Sequence, residues 1–556
     1  MIAWPPNCCS RPVCSSRAPR ECPDVSATLP RTVPQGAVRW RPRRPPGLLL
    51  AVAALPAALV LTPIGITLAD ALNAGFVRIA ALLWRPLVGT LLMNTATLTL
   101  ATGLACVVLG SLAAFLVERT DLPGRAAWSM LLTAPLAVPA FVASYAWVSI
   151  SPALEGFAGA LLVVSFAYFP LVFLPVSAAL RGLDPALEES ARALGNSPWR
   201  CLYRVVLPQL RPAMLGGALL VGLNVLVEFG AFAMMRFRTF TTAIYAAYRS
   251  GFDGAEAAAL AIVLLAICFA CLGAEAALRS RARYARLGRG VHRPPTRYGL
   301  GFWRWPAAAA MAVLVGLAIG VPVGTILFWL TRHGAEAITP DEVSTAAVLG
   351  ATWNTVRFGL GGAALTLVLA LPLAVLSVRW ARFPLTPLLE RGAWLAQGVP
   401  GIVIALALIA ATVQGLPLLY QSTPLLLIAY AILFLPYALV GLRTALQQAD
   451  RRLEDAARSL GAGWLRVLWR VILPLAAPGV GAAAALVFIV VTTELTATLL
   501  LAPIGTETLA IRVWDDTSTL AFAAAAPYAA VLVALSMGAS WLLARRFGVG
   551  AFGHGN

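Results

Sequence analysis

Lysine is absent from this chain, and all 42 of its basic residues are arginine. A Walker A loop needs a lysine that reaches the phosphates of ATP. The sequence therefore excludes a conventional ATPase domain. Histidine is almost as scarce, since only His292, His333 and His554 occur. No Ser/His/Asp arrangement or metal-ligand cluster accompanies them, so we expect no catalytic residue, no metal site and no cofactor bound by this chain.

Charged residues of either sign are few. They make up 12% of the sequence, whereas hydrophobic residues make up 60% and the mean hydropathy is +0.82. Such a composition is typical of polytopic membrane proteins, and a span needs about 20 apolar residues. We predict an all-α membrane protein with twelve spans, near 47–69, 91–117, 126–150, 157–180, 212–235, 256–278, 305–330, 355–378, 393–413, 424–445, 475–501 and 519–543.

The distribution of arginine predicts the orientation. With both termini in the cytoplasm, the predicted loops place 34 arginines inside and 8 outside, as the positive-inside rule requires. The net charge of +18 then reflects topology and contact with lipid rather than nucleic-acid binding. We expect a multi-pass protein of the bacterial inner membrane.

The ends and the middle of the chain differ from the spans. Residues 1–46 are rich in Pro and Arg, carry four cysteines without a paired C-x-x-C, and show no signal peptide. They predict a disordered cytoplasmic tail, or a start codon assigned too early. Residues 47–278 and 305–545 form two six-helix domains, 279–304 an Arg-rich cytoplasmic linker, and 546–556 a short cytoplasmic tail.

One polar segment occurs twice. Residues 187–208 read LEESARALGNSPWRCLYRVVLP and residues 453–474 read LEDAARSLGAGWLRVLWRVILP. From Glu188 to Pro208, eleven of 21 positions are identical in the second copy. The repeat predicts a tandem duplication of six spans whose halves lie parallel, related by an axis along the membrane normal.

The repeated segment predicts a short helix with a docking surface. Asp184 is a suitable N-cap with proline after it, and Glu188 and Glu189 fall where the helix dipole favours acids. Ala191 keeps the surface small, and Gly195 suits a left-handed C-cap. An ordinary amphipathic connector is the alternative. The second copy repeats the pattern with Glu454, Asp455, Ala457 and Gly461.

Two acids lie within predicted spans, at equivalent positions after each repeated loop. Glu228 and Glu494 are candidate pathway or gate residues, because a carboxylate within the membrane is costly and by default functional. They could face each other and offer oxygen ligands to a hard cation. Alternatively each is capped or paired locally, Glu228 with Arg236 or Arg238.

The loop pattern, E-x-A-x-x-x-G in the first copy followed by a hydrophobic-Leu-Pro, resembles the EAA loop of ABC importer permeases that work with a binding protein. The double length, ERTDLPGR at 118–125 and ELTATLLLAPIGTETLAIRVW at 494–514 look like ferric-iron-type permeases. The resemblance covers essentially residues 47–545.

The resemblance implies that each loop forms a coupling helix seated in a groove of a cytoplasmic ATPase dimer. It implies the coupling positions Glu188, Glu189, Ala191, Gly195, Glu454, Asp455, Ala457 and Gly461. A separate substrate-binding protein would dock on the outer loops, and ATP would be used by the partner ATPase. Transport would proceed by alternating access of the two halves.

Ferric iron is the substrate that this resemblance favours. Permeases for thiamine, phosphonate, polyamine or another small solute are the alternatives within the family. A 6+6 secondary transporter is the alternative outside it. Its loop motif has only a partial echo in Asp121, Gly124 and Arg125, and the duplicated EAA loop argues against it.

Overall fold

The computed structural model describes residues 45–251, 253–281, 297–332 and 343–547. Nearly all of these residues are helical, and the only strand-like feature among them is an isolated bridge between Thr120 and Tyr298. Ten helices are long and apolar enough to cross a membrane, or up to twelve spans if two bent pairs each count as one. This confirms the predicted all-α membrane class. Most of the two tails and most of the linker lie outside the described residues. The predicted domain boundaries stay predictions.

The helices of the first half are α1 (Gly47–Ala74), α2 (Phe76–Leu83), α3 (Pro86–Arg119), α4 (Arg125–Thr133), α5 (Ala140–Ile150), α6 (Phe157–Tyr168), α7 (Pro170–Gly182), α8 (Pro185–Ala193), α9 (Pro198–Cys201), α10 (Leu207–Val227), α11 (Gly230–Met234), α12 (Phe240–Arg249) and α13 (Gly254–Arg281). Those of the second half are α14 (Arg304–Val315), α15 (Val321–Leu330), α16 (Thr345–Arg379), α17 (Leu385–Trp394), α18 (Gly401–Gly415), α19 (Thr423–Gln448), α20 (Arg451–Ser459), α21 (Trp464–Val467), α22 (Leu473–Thr492), α23 (Thr496–Leu501), α24 (Leu509–Ser518) and α25 (Phe522–Phe547).

Two predicted spans are not straight helices. The third is bent by 88° between Arg125–Ala137 and Ala140–Ile150, and the ninth by 106° between Leu385–Gly398 and Gly401–Gly415. Pro139 and Pro400 precede the second helix of each pair. Proline lacks an N–H and disfavours a helical conformation of the residue before it, so an unbroken apolar run still contains a sharp turn.

Two further spans end earlier than predicted, and this changes the setting of both candidate acids. α10 ends at Val227, and Glu228 is its extended C-cap residue. α22 ends at Thr492, and Glu494 precedes the short helix α23. The prediction that the two acids lie inside continuous helices was therefore wrong. They lie at breaks, where backbone groups lack helical partners.

Each half is built around three helices that pack against one another, and the three occupy equivalent places in the two halves. α3, α7 and α10 pack together in the first half, and α16, α19 and α22 in the second. In the second half Gly441 faces Ala483 and Gly479 faces Ala445 so closely that added Cβ atoms would clash. Both helices thus carry small residues four apart, the pattern that lets membrane helices approach closely.

The two halves interlock. α1 packs on α16, α17 and α18 of the second half, while α15 packs on α5 of the first. α1 and α15 each pack against the half to which they do not belong. Movement of one half relative to the other must therefore also move α1 and α15.

The described end of the predicted linker is hydrogen-bonded to the end of α3 and to the residues that follow it. Tyr298 N–H donates to the carbonyl of Arg119 at 2.7 Å, and Asp121 N–H donates to the carbonyl of Tyr298 at 3.3 Å. The Leu300 N–H also donates to Asp121 Oδ1 at 2.8 Å. The linker therefore returns along the end of α3 before α14 begins.

Candidate coupling site and central cavity

The two copies of the repeated segment fold alike, beginning with the predicted N-cap Asp184 and its counterpart Asp450. Oδ1 of Asp184 accepts from the Ala186 N–H at 3.0 Å, and Oδ1 of Asp450 accepts from the Arg452 N–H at 2.9 Å. A side-chain acceptor here satisfies one of the free N–H groups at a helix start. The resulting helices, α8 and α20, have nine residues each.

Both helices end at the predicted glycines. Gly195 and Gly461 each have φ of +81°, the left-handed conformation that glycine adopts without strain. In the first copy Gly195 N–H donates to the Arg192 carbonyl and Asn196 N–H to the Ala191 carbonyl, at 2.9 and 3.2 Å. The second copy repeats both bonds from the equivalent residues. This is a Schellman closure, so sequence alone predicted both ends correctly.

The glutamates at the centre of the prediction face inward. Glu188 is 2% exposed and Glu454 is 3% exposed. Arg119 donates to Glu188, and Arg379 forms an ion pair with Glu454. Each arginine is the last residue of a long helix, α3 or α16. The carboxylates therefore fasten the short helices to the ends of membrane helices, rather than presenting charge at the surface.

The other predicted coupling residues lie nearer the surface. Ala191 and Ala457 are half-buried, while Glu189, Asp455, Gly195 and Gly461 are exposed. The eight residues thus form two layers, an inner layer of buried acids and an outer layer open to a partner. Their role in docking remains a prediction.

Sequence reasoning missed the apolar members of the outer layer. Leu194 is 83% exposed and Leu460 is 87% exposed, each at the C-cap of its helix. Leu187 and Leu453 are also exposed at equivalent positions. The sequence did carry a signal for this surface, because a leucine recurs in both copies beside the helix-ending glycine. Large exposed apolar side chains mark contact surfaces when they cluster.

The connection from each short helix to the next span has the same irregularity. Residues Leu202–Val206 and Leu468–Ile472 are π-helical, 266 positions apart like the helices themselves. π-Helical turns are rare and are frequent at functional sites. They lie on the connection from α8 to α10 and from α20 to α22. α10 and α22 in turn lead to Glu228 and Glu494.

A cavity of about 270 Å³ lies where the broken helices meet. Its lining includes Val138 and Pro139 from the break before α5, and Val399 and Gly401 from the break before α18. Glu228 and Glu494 line it as well. Irregular backbone at membrane depth is tolerated where it is buried in protein or lines a cavity. Four interrupted helices therefore converge on one chamber shared by both halves.

The two acids of the cavity are held in matching ways. Glu228 Oε1 accepts from the Ala231 N–H and Glu494 Oε1 from the Ala497 N–H, both at 2.9 Å. Glu228 Oε2 also accepts from the Tyr168 hydroxyl at 2.6 Å. Pairing of Glu228 with Arg236 is not observed, because Arg236 pairs with Glu155 at 3.5 Å.

An aromatic cluster adjoins the cavity on the side away from α8 and α20. The ring of Phe229, which lines the cavity, lies 4.8 Å from that of Tyr245 and 5.3 Å from that of Trp514. Tyr245 belongs to α12 and Trp514 to α24, one from each half. We call Phe229, Tyr245 and Trp514 the aromatic lid.

α12 and α24 are anchored by an asparagine that is followed by threonine in both halves, in Asn94-Thr95 and Asn354-Thr355. Asn94 Nδ2 donates to the Arg238 carbonyl at 3.0 Å, and Asn354 Nδ2 donates to the Glu507 carbonyl at 2.8 Å. Each carbonyl belongs to the residue before a threonine N-cap, that of α12 or α24. The repeated asparagine therefore fixes where each of these helices begins.

Comparison with known proteins decides the family. The family of binding-protein-dependent transport system inner membrane components matches residues 107–284 and again residues 366–548. The chain belongs to this family. Each matched segment of the permease contains one short helix of the repeat, α8 or α20, and one cavity acid. The permease is thus a double-length, multi-pass membrane transport component.

Similar proteins include permeases for different ions. The permease is 38% identical over 499 residues, 89% of its own length and 97% of the relative, to the Fe(3+)-transport system permease protein of Haemophilus influenzae. It is 31% identical over 195 residues to the sulfate transport system permease protein of Escherichia coli, covering 31% of its own length and 70% of the relative. The molybdenum transport system permease protein of Escherichia coli is 29% identical over 182 residues, 29% of the permease and 79% of the relative.

Proposed function

We propose that the chain is the membrane permease of an ATP-driven importer of ferric iron. A separate ATPase dimer binds α8 and α20 and supplies all the nucleotide chemistry. A substrate-binding protein delivers the cargo at the opposite face. The chain itself holds no cofactor.

The observation that carries this proposal is the charge of the cavity. Glu228 and Glu494 line it, and none of the described residues that line it is an arginine, a lysine or a histidine. Two carboxylates without a compensating cation repel an oxyanion and attract a hard cation, which prefers oxygen ligands. This favours an iron cargo, as in the Haemophilus influenzae relative, over the sulfate and molybdenum cargoes named for the half-length relatives.

Coupling follows from the two layers of the short helices. The exposed side chains, led by Leu194 and Leu460, enter grooves of the ATPase. The buried pairs Arg119–Glu188 and Arg379–Glu454 pass the displacement to α3 and α16. Because these long helices pack on α10 and α22, closure of the ATPase dimer moves the helices that end at the cavity acids. The halves then alternate between outward and inward access.

We propose that α8 and α20 face the cytoplasm. The arginine distribution predicts that their loops lie on the same side as the linker and the two termini. The aromatic lid and the helices α12 and α24 then face the binding protein. The membrane is the bacterial inner membrane.

Uptake by cells that express the complete importer tests the cargo. Radiolabelled ferric citrate, sulfate, molybdate, thiamine and a polyamine are offered separately to cells with and without this gene. We expect loss of ferric uptake alone in the deletion strain. Loss of an anion instead overturns the proposed cargo. Loss of thiamine or polyamine uptake moves the cargo to an organic cation.

A second arm tests coupling. The double variant Leu194→Asp/Leu460→Asp is compared with Leu418→Asp, which changes a residue that is 96% exposed outside the repeat. We expect uptake to disappear in the double variant and to persist in the control. Equal uptake in both, with equal amounts in the membrane, contradicts docking through α8 and α20.

A further inference from the structure

The two cavity acids are equivalent in sequence but not in surroundings. Tyr168 donates to Glu228 at 2.6 Å. The position equivalent to Tyr168, 266 residues later, is Phe434, which also lines the cavity and has no hydroxyl. The duplication therefore retained both acids and gave a phenol partner to only one of them.

The consequence is a difference in the free oxygens. Both oxygens of Glu228 already accept hydrogen bonds, from the Ala231 N–H and from Tyr168. Oε1 of Glu494 accepts from the Ala497 N–H, and among the described residues no side chain donates to this carboxylate. Both acids are half-buried and line the cavity, so the missing phenol is what distinguishes Glu494. The carboxylate without a side-chain donor is thus the one more freely presented to a passing ion.

Other residues with side-chain oxygen atoms line the same cavity. They are Tyr437, Gln397 and Thr493. All are uncharged ligands of the kind that hard cations accept. A single charged ligand with neutral neighbours suits transit, because a site that conducts must bind strongly enough to admit the ion and weakly enough to release it.

We propose that Glu494 is the charged ligand that the cavity offers to its cation, and that Tyr168 holds Glu228 out of this role as a positioning residue. The inference rests on the proposed transport of a cation. It assigns cation binding to Glu494 and not to Glu228. A purely structural role in capping α11 and α23 would be the same for both acids.

Glutamine variants separate the charge from the cap. The amide oxygen of Gln can still accept from the Ala497 or Ala231 N–H, so Glu494→Gln and Glu228→Gln keep the cap and lose the charge. In cells with the whole importer we expect Glu494→Gln to lower ferric uptake at least about tenfold, the scale on which metal-site substitutions act. We expect Glu228→Gln to lower it less than about threefold. Uptake by each variant is compared at equal amounts of permease in the membrane.

The double variant Tyr168→Phe/Glu494→Gln gives the sharper test. Phenylalanine is tolerated at the equivalent position of the second half, and its introduction at 168 frees Glu228 Oε2. We expect the double variant to regain uptake several-fold over Glu494→Gln alone. Equal losses in the two Gln variants, wild-type uptake in Glu494→Gln, or no recovery in the double variant overturns the proposal.

Failure of the proposed function is distinguishable from failure of this inference. If wild-type cells take up another cation instead of ferric iron, the same variants are compared with that cation and the same ranking is expected. If wild-type cells take up sulfate or molybdate through this permease, both proposals fall together.

Discussion

The hydroxyl of Tyr298 donates a hydrogen bond to Oε2 of Glu188 at 3.3 Å. The tyrosine ring also lies 5.2 Å from the Arg192 guanidinium and 5.9 Å from that of Arg119. The linker between the halves therefore reaches the buried pair that fastens α8. A segment that joins the two halves is in this way part of one candidate coupling site.

We expect loss of Tyr298 to loosen α8 and leave α20 unchanged. Tyr298→Ala removes the hydrogen bond to a carboxylate, worth about 1.5–3 kcal/mol, together with the ring contacts. Amide hydrogen exchange of the purified permease should rise across α8, and α20 serves as the internal control. Equal protection of α8 in the variant and the wild type would contradict this role of the linker.

The buried pairs predict a second result. Glu188→Ala leaves Arg119 buried without its acid, and breaking one partner of a buried pair costs about 3–5 kcal/mol. We expect the variant to denature at lower temperature in detergent and to lose its ATPase on purification. Glu454→Ala should behave like Glu188→Ala, because Arg379 is then buried without its acid.

The matched control for this result is Glu189→Ala, which removes the exposed neighbouring acid and should denature like wild type. Replacing both partners, as in Arg119→Met/Glu188→Leu, should recover much of the lost stability, because no uncompensated charge remains. Equal melting temperatures for Glu188→Ala and Glu189→Ala would show that the buried pair does not fasten the helix.

The extent of α8 and α20 was predictable because their signals are local. Asp184 and Gly195 lie within one short segment, and each acts on backbone groups a few residues away. The partner of Glu188 was not predictable in this way. Arg119 lies 69 residues earlier, and only the packing of α3 against α7 and α10 brings it to α8.

The broken helices show a different limit. Hydropathy reports that a run is apolar, and the runs through Pro139 and Pro400 are apolar throughout, so each predicted a single span. Glu228 likewise read as a residue inside a helix. The breaks depend on neighbours that satisfy the freed backbone groups, such as the carboxylate that accepts from Ala231. No pattern within the span contains that information.

Docking by the exposed leucines predicts a surface effect without a loss of stability. Leu194→Asp and Leu460→Asp change side chains that are 83% and 87% exposed, so the permease should denature at the wild-type temperature. The ATPase should nevertheless fail to copurify, since a charge in an apolar groove is desolvated without a partner. Retention of the ATPase by the double variant at moderate salt would place the contact elsewhere on α8 and α20.

The aromatic lid predicts a barrier at the face opposite the coupling helices. Trp514 and Tyr245 come from different halves and both contact Phe229, which lines the cavity. Trp514→Ala removes the ring that joins the halves there, so the cavity should open toward that face. A cysteine placed at Thr493, which lines the cavity, reports on this opening when intact cells meet a membrane-impermeant maleimide.

We expect labelling of Thr493→Cys to be at least about tenfold faster with Trp514→Ala, the change that loss of about 1.4 kcal/mol of closure produces. Trp329→Ala is the matched control, because the Trp329 ring lies 5.8 Å from that of Phe522 and does not line the cavity. Faster labelling in both tryptophan variants would indicate general loosening. Unchanged labelling in Trp514→Ala would show that the three rings are packed without acting as a gate, and that another layer closes the cavity on this side.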